Sequence, residues 1–317
     1  MINKILSHIK RRARRLINQR HINDFASEQG GWVKQPGSVL GNKYTGTLFD
    51  PFVNHENGYY RLYISDRRHG SIVLTESEDG INWGRYCTLI QGEPGNQWED
   101  IVNRAAVVSH NDISYLWYTG QAGNNSRIGL ATSKDGIHYR KYANNPVLIP
   151  EFDYEKKSVM NPCVLWDEGE KIFKMWYAAG ETYEPDVICY AVSCDGIRWS
   201  KWKGNPILKA SEHMYDKYKV GGCDVHQMAD GSYLMFYIGY QNLDVARICM
   251  AFSQDGITNW KRSKDNPILS PSKNGWDRHA VYKPAACQVD GKWYLWYNGR
   301  KNTDEYIGLA VHEGKIF

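Results

Sequence analysis

The side chains that could do chemistry fall in five short passages: Phe49-Asp50-Pro51; Glu99, Asp100, Asn103 and Arg104; Asn161-Pro162; Asp224 and His226; and His279, Tyr282 and Lys283. Asp50, Glu99, Asp100 and Asp224 are carboxylates, which can pass a proton to or from a reacting oxygen or attack carbon directly. Arg104, His226, His279 and Lys283 bring positive charge to the same passages. Such groups either pair with nearby carboxylates or grip a phosphate or carboxylate, Arg with two parallel bonds. The chain carries no glycine signature of a dinucleotide or P-loop site. Its seven cysteines are odd in number and scattered, with no paired spacing for zinc. No cofactor and no metal site is read from it.

A repeat positions these passages. SEDGINW (77–83), SKDGIHY (133–139), SCDGIRW (193–199) and SQDGITNW (253–260) are one sentence written four times, with Asp-Gly at 79, 135, 195 and 255. Asp-Gly between alternating strands marks a hairpin, because glycine tolerates a positive φ. The aspartates of these pairs are therefore read as turn residues. Before each turn runs a small-residue strand, and before that an aromatic one: YYRLYISD, YLWYTG, FKMWYAAG, YLMFYIG and finally WYLWYNG. A repeat of 56–60 residues with four strands implies a β-propeller blade, and five aromatic strands imply five blades. The first strand of each blade lines a central channel, and the five passages fall on those strands.

The fifth repeat stops after three strands. GWVKQPGSVLG (31–41) resembles the outer-strand passage NWKRSKDNPILSP (259–271), Trp32 matching Trp260 and Val39-Leu40 matching Ile268-Leu269. The N-terminal segment is expected to supply the missing strand and close the ring, removing two exposed edges. NPVL (145–148) and NPIL (205–208 and 266–269) mark connectors, where proline ends an outer strand.

Residues 1–25 read differently, with Lys10, Arg11, Arg12, Arg14, Arg15 and Arg20 among apolar residues near helical spacing. The expectation is a basic amphipathic helix on a propeller domain spanning 26–317, either docked on the body or in peripheral contact with an anionic membrane face. A secretory signal is not read there, and scattered thiols point to a cytoplasmic protein. A net charge of +4 is too mild to argue for nucleic acid. Aromatics at 13% of residues suit a strand-rich protein or a carbohydrate binder.

The stretch LFDPFVNHENGYYRLYISD (48–66) resembles the first blade of the family 43 glycoside hydrolases and of families 32, 62, 68, 117 and 130. GWDRHAVYKPAACQVDGKWYLWYNGR (275–300) and IGLATSKDGI (128–137) are phrased alike, so the resemblance covers about residues 30–315. It implies a five-bladed propeller in which carboxylates act across a sugar. Asp50 matches the first-blade general base or nucleophile, and Asp224 is the best match to a paired acid. Glu99 and Asp100 stand in reserve, while Trp98, Trp276 and Tyr282 are candidates to stack on a sugar. The catalytic triad of those families is incomplete: Asn161 stands where Asp is common, and Gly222-Cys223-Asp224 replaces a Glu-Gly signature. Three functions follow: a glycosidase-type enzyme, a cytoplasmic glycosyltransferase of surface-polysaccharide assembly using a phosphorylated sugar donor, or an inactive sugar-binding propeller.

Overall fold

β-branched and aromatic residues alternate along each repeat, and the chain answers with strands. The computed structural model describes residues 13, 16, 17, 20–42 and 44–316, and among these are twenty strands and two single-turn 3₁₀ segments. After β1 (Trp32–Lys34) come five antiparallel units. Unit one is β2 (Leu48–Glu56), β3 (Tyr59–Asp66), β4 (Ser71–Ser77) and β5 (Cys87–Gln91). Unit two is β6 (Ile101–His110), β7 (Ile113–Ala122), β8 (Asn125–Ser133) and β9 (Arg140–Lys141). Unit three is β10 (Ser158–Asp167), β11 (Ile172–Gly180), β12 (Pro185–Ser193) and β13 (Ser200–Lys201). Unit four is β14 (Lys219–Gln227), β15 (Tyr233–Tyr240), β16 (Ala246–Ser253) and β17 (Lys261–Arg262). Unit five is β18 (Ala280–Val289), β19 (Lys292–Lys301) and β20 (Asp304–Glu313), with β1 as its fourth strand. One parallel pair, Ser126 with Ser158, joins units two and three.

β1 occupies the register of an outer strand. Lys34 stands opposite Ala310, as Lys141, Lys201 and Arg262 stand opposite Ala131, Ala191 and Ala251. Leu40 then bridges Ile307, as Leu148, Leu208 and Leu269 bridge Ile128, Ile188 and Ile248.

The same cations build a clamp in four units. The carboxylate before the inner strand accepts a hydrogen bond from a buried tyrosine and pairs with the outer-strand cation. Tyr118 donates to Glu99 at 2.8 Å and Lys141 lies 3.0 Å away. Tyr177 and Lys201 hold Glu155, and Tyr237 and Arg262 hold Asp216. In unit five Tyr297 and Lys34 hold Asp277, Lys34 at 2.7 Å. A second staple links neighbouring units through the Asp-Gly turns. The buried indoles of Trp296, Trp117 and Trp176 donate to the carbonyls of Gly80, Gly196 and Gly256 at 2.7–3.0 Å. Each bond satisfies an N–H that burial would otherwise orphan. Asp79, Asp135, Asp195 and Asp255 accept backbone N–H groups within their own turns, the local role read for them.

The N-terminal extension departs from expectation. Residues 1–12, 14, 15, 18 and 19 lie outside the described residues, Lys10, Arg11, Arg12, Arg14 and Arg15 among them. The remainder does not carry a helix to residue 25. Ile22–Asp24 is a lone 3₁₀ turn, because Arg247 of β16 donates to the His21 carbonyl and stacks on Phe25, tying this stretch to unit four. Among the described residues no helix is long and apolar enough to cross a membrane.

Candidate active site

One backbone feature recurs on all five inner strands. Each has a bulge at the same point, and the bulged residue has a positive φ: Asp50 (55°), Arg104 (42°), Asn161 (53°), Gly222 (45°) and Lys283 (57°). Four of these are not glycine, so the backbone holds a conformation that costs about 1 kcal/mol or more at each. Polar residues of the neighbouring unit support it. Asp50 N–H donates to Asn298 Oδ1, Arg104 N–H to Ser65 Oγ and Asn161 N–H to Thr119 Oγ1, at 2.8–2.9 Å. Bulges re-aim side chains, and here Asp50, Asn161 and Lys283 meet. Lys283 Nζ lies 2.7 Å from Asp50 Oδ1 and donates to Asn161 Oδ1 at 3.1 Å.

These three line a pocket of about 160 Å³ at the end of the channel where the inner strands begin. Asn103 and Tyr282 join them there, Asn103 donating to Gln121 and Tyr282 to Glu305. Second strands end where inner strands begin, so the connections leaving the aromatic strands complete the rim. They supply Arg67 and Glu184, and the end of β19 adds Arg300; the sequence reading missed all three. The Arg67 guanidinium sits 4.3 Å from the centre of the Phe49 ring and Arg300 lies over Tyr282. Burial pushes the Glu184 carboxyl above its ordinary value, and Asp244 and Glu181 add to the rise against Lys219 and Arg300. A carboxyl held towards its neutral form is poised as a proton donor.

The expected pair of Asp50 and Asp224 is not brought together. Unit four carries its bulge at Gly222, so Asp224 lies two residues deeper, about 7 Å along the strand. It lines a different cavity, of about 990 Å³, at the opposite mouth. There Asp224 Oδ2 accepts the Ala286 N–H at 2.6 Å and meets His226 Nε2 at 3.0 Å, while the Cys163 thiol faces Oδ1. Burial works against the Asp224 charge, but His226, Arg104 and the Ala286 N–H outweigh it and hold the carboxyl below its ordinary value. An ionised, fully bonded carboxylate is a poor proton donor.

Other expectations also move. Arg104 does not reach a pocket. It is fully buried, and its guanidinium donates to the carbonyls of Pro51, Pro284 and Cys223, tying units one, four and five at the channel axis. Glu99 belongs to the unit-two clamp, and Asp100 caps its own loop through Gly95 N–H. His279 accepts the Asn302 N–H outside both cavities. Trp98 and Trp276 stack on Tyr118 and Tyr297, leaving Tyr282 as the candidate aromatic in the pocket. Among the described residues no group of three or more His, Cys, Asp or Glu could hold a metal ion, and all seven cysteines are unpaired.

Residues 52–312 match glycoside hydrolase family 130, described as β-1,4-mannooligosaccharide phosphorylase. A 1,2-β-oligomannan phosphorylase of Thermoanaerobacter sp. is 28% identical over 68% of this chain and 70% of its own. An uncharacterized Mycobacterium tuberculosis protein is 26% identical over 81% of this chain and 89% of its own. Among solved structures, a glycoside hydrolase superposes with a TM-score of 0.72 at 21% identity, covering 89% of this chain and 93% of that one. A structure of family 130 glycoside hydrolases that target β-1,2 mannosidic linkages in Candida mannan gives 0.68 at 16% identity, covering 92% and 95%. A thermostable family 43 hydrolase gives 0.66 at 18% identity, covering 87% and 90%. The architecture is that of the propeller-fold glycoside hydrolases; the chain belongs to glycoside hydrolase family 130 and is a glycoside-active enzyme.

Proposed function

We propose that this enzyme is a five-bladed propeller, closed by β1, that cleaves β-mannosidic oligosaccharides by phosphorolysis in the Asp50 pocket. The observation that carries the reading is the pocket's charge arrangement. Its deepest carboxylate, Asp50, is engaged by Lys283, while burial holds Glu184 at the rim towards its protonated form, and Arg67 and Arg300 line the same pocket. Hydrolysis asks for a second free carboxylate to activate water. Phosphate brings its own nucleophilic oxygen and asks instead for cations.

In this reading Arg67, Lys283 and Arg300 hold inorganic phosphate. A phosphate oxygen forms a bond to the anomeric carbon as the glycosidic C–O bond breaks. The bonding pair leaves with the glycosidic oxygen, which takes the Glu184 proton, and solvent restores that proton. Asp50 orients Lys283 and accepts a sugar hydroxyl. Attack from the face opposite the leaving group turns a β-glycoside into an α-glycosyl phosphate. Run backwards, the same step transfers a sugar from a phosphorylated donor to an acceptor, which unites the two enzyme functions read from the sequence. The family description and the Thermoanaerobacter relative support the mannoside, and unpaired thiols agree with a cytoplasmic setting.

The test is to incubate the protein with β-1,4- and β-1,2-linked mannooligosaccharides, with and without phosphate, and to follow products by phosphorus NMR. Turnover that requires phosphate and yields α-mannose 1-phosphate is expected. Free mannose released equally without phosphate would make the enzyme a hydrolase with Asp50 as base. Binding without turnover would leave a sugar-binding propeller.

A further inference from the structure

Beside the pocket runs an open groove of about 850 Å³, between the β11–β12 connection and the start of β14. The two cavities share Thr182, Tyr183, Glu184 and Leu243 as common wall. Glu184, the proton donor of the reading above, thus stands on the boundary between them. A volume of about 160 Å³ is well under the roughly 300 Å³ at which sites for drug-sized ligands begin. It suits a single sugar ring, so the rest of any longer substrate must lie along the groove.

The groove is furnished for that. Tyr183 is 60% exposed and Tyr218 is 43% exposed, and both line the groove. An exposed ring beside a catalytic boundary offers a flat apolar face to the C–H face of a pyranose, with a hydroxyl at its edge. Around the rings the charges are fixed in place: Asp186 pairs with Lys156 at 2.7 Å and with Lys219 at 2.8 Å, and Lys219 lies over the Tyr218 ring. These are oriented donors and acceptors for sugar hydroxyls, held without help from the substrate.

We propose that Tyr183 and Tyr218 form a platform for the leaving-group chain, so that the enzyme takes one terminal sugar into the pocket and favours substrates several residues long. The proposal rests on the Asp50 pocket being the reactive site. It places the terminal ring against Asp50 and Asn161, the scissile bond at Glu184, and the next sugars across the two tyrosines.

The experiment compares kcat/KM for mannooligosaccharides of two, three and four residues in the wild type, Tyr183→Ala, Tyr218→Ala and Tyr218→Phe. Stacking on one platform is worth roughly three- to tenfold in affinity, so the tetrasaccharide should exceed the disaccharide by about that factor in the wild type. The ratio should fall towards one in each Ala variant and be retained in Tyr218→Phe. Calorimetric binding of the same oligosaccharides without phosphate gives an independent arm. Affinity that climbs with length and loses its slope in the Ala variants supports the platform even where phosphate proves irrelevant to the chemistry. A wild-type ratio near one in both arms, or a slope that survives both Ala substitutions, overturns it while leaving phosphorolysis standing.

Discussion

The two mouths of the channel are built from the same five strands, yet they spend their charges differently. At the mouth where the inner strands begin, bulges turn Asp50, Asn161 and Lys283 into a narrow pocket, and groups that stay accessible join them: Arg67 and Glu184 from connections and Arg300 from the end of β19. At the other mouth the cavity is about six times larger, but its central carboxylate is consumed by an N–H, an imidazole and a thiol. Arg104 lies between the two and fixes the peptides that follow Asp50 and Lys283. What distinguishes the Asp50 mouth is strained backbone and a carboxyl, Glu184, that burial raises above its ordinary value.

Glu184→Gln should produce the largest change on the reactive side, lowering turnover by roughly 10²–10⁴. A substrate with a good leaving group should lose far less. Because the acid works protonated and its value is raised, wild-type kcat/KM should fall as pH rises through that value, and the Gln variant should lack this limb. Both are read from pH–rate profiles.

Lys34→Met probes the scaffold that both mouths share. It removes the cation from a buried pair with Asp277 and leaves that carboxylate uncompensated. Loss of a buried partner costs about 3–5 kcal/mol, visible as a lowered denaturation midpoint with little change in KM. The smallest effect is expected at Asp135→Asn, on an exposed turn that lines neither cavity: a slight drop in Tm and unaltered turnover.

The fold was legible because each repeat states it again, and the outer-strand register of the N-terminal segment, held by Lys34 and Leu40, was foreshadowed by its likeness to the outer-strand passage at 259–271. The same repetition explains why Glu99 misled. Aromatic–acid pairs recur at Trp98-Glu99, Tyr154-Glu155, Tyr215-Asp216 and Trp276-Asp277, and a residue repeated in four of the five units does the work of the repeat. Asp224 misled for a geometric reason. Its inner strand places it with the other candidates, but side chains point by position relative to the bulge, and two residues past it they belong to the other mouth. Glu184 was missed because it lies in a connection that does not repeat. Its signal was the cluster of acids in ETYEPD (181–186) at the end of an aromatic strand, the end shared with Asp50.

If chemistry belongs to the Asp50 mouth and structure to the Asp224 mouth, the two aspartates must answer substitution differently. The decisive comparison is turnover of Asp50→Asn and Asp224→Asn on one oligosaccharide, in proteins with cooperative melting transitions. Asp50→Asn should lose roughly 10²-fold or more in kcat/KM. Asp224→Asn should stay within a few-fold of wild type while losing about 1–3 kcal/mol of stability through its broken bonds. The Asp224 carboxyl is held below its ordinary value, so its stabilisation is present above an unfolded value near 4 and lost as pH falls through the folded one. The deficit of the Asn variant should therefore be full at neutral pH and shrink in acid. Full activity in Asp50→Asn together with an inactive, folded Asp224→Asn would put the reaction at the other end of the channel and contradict the account.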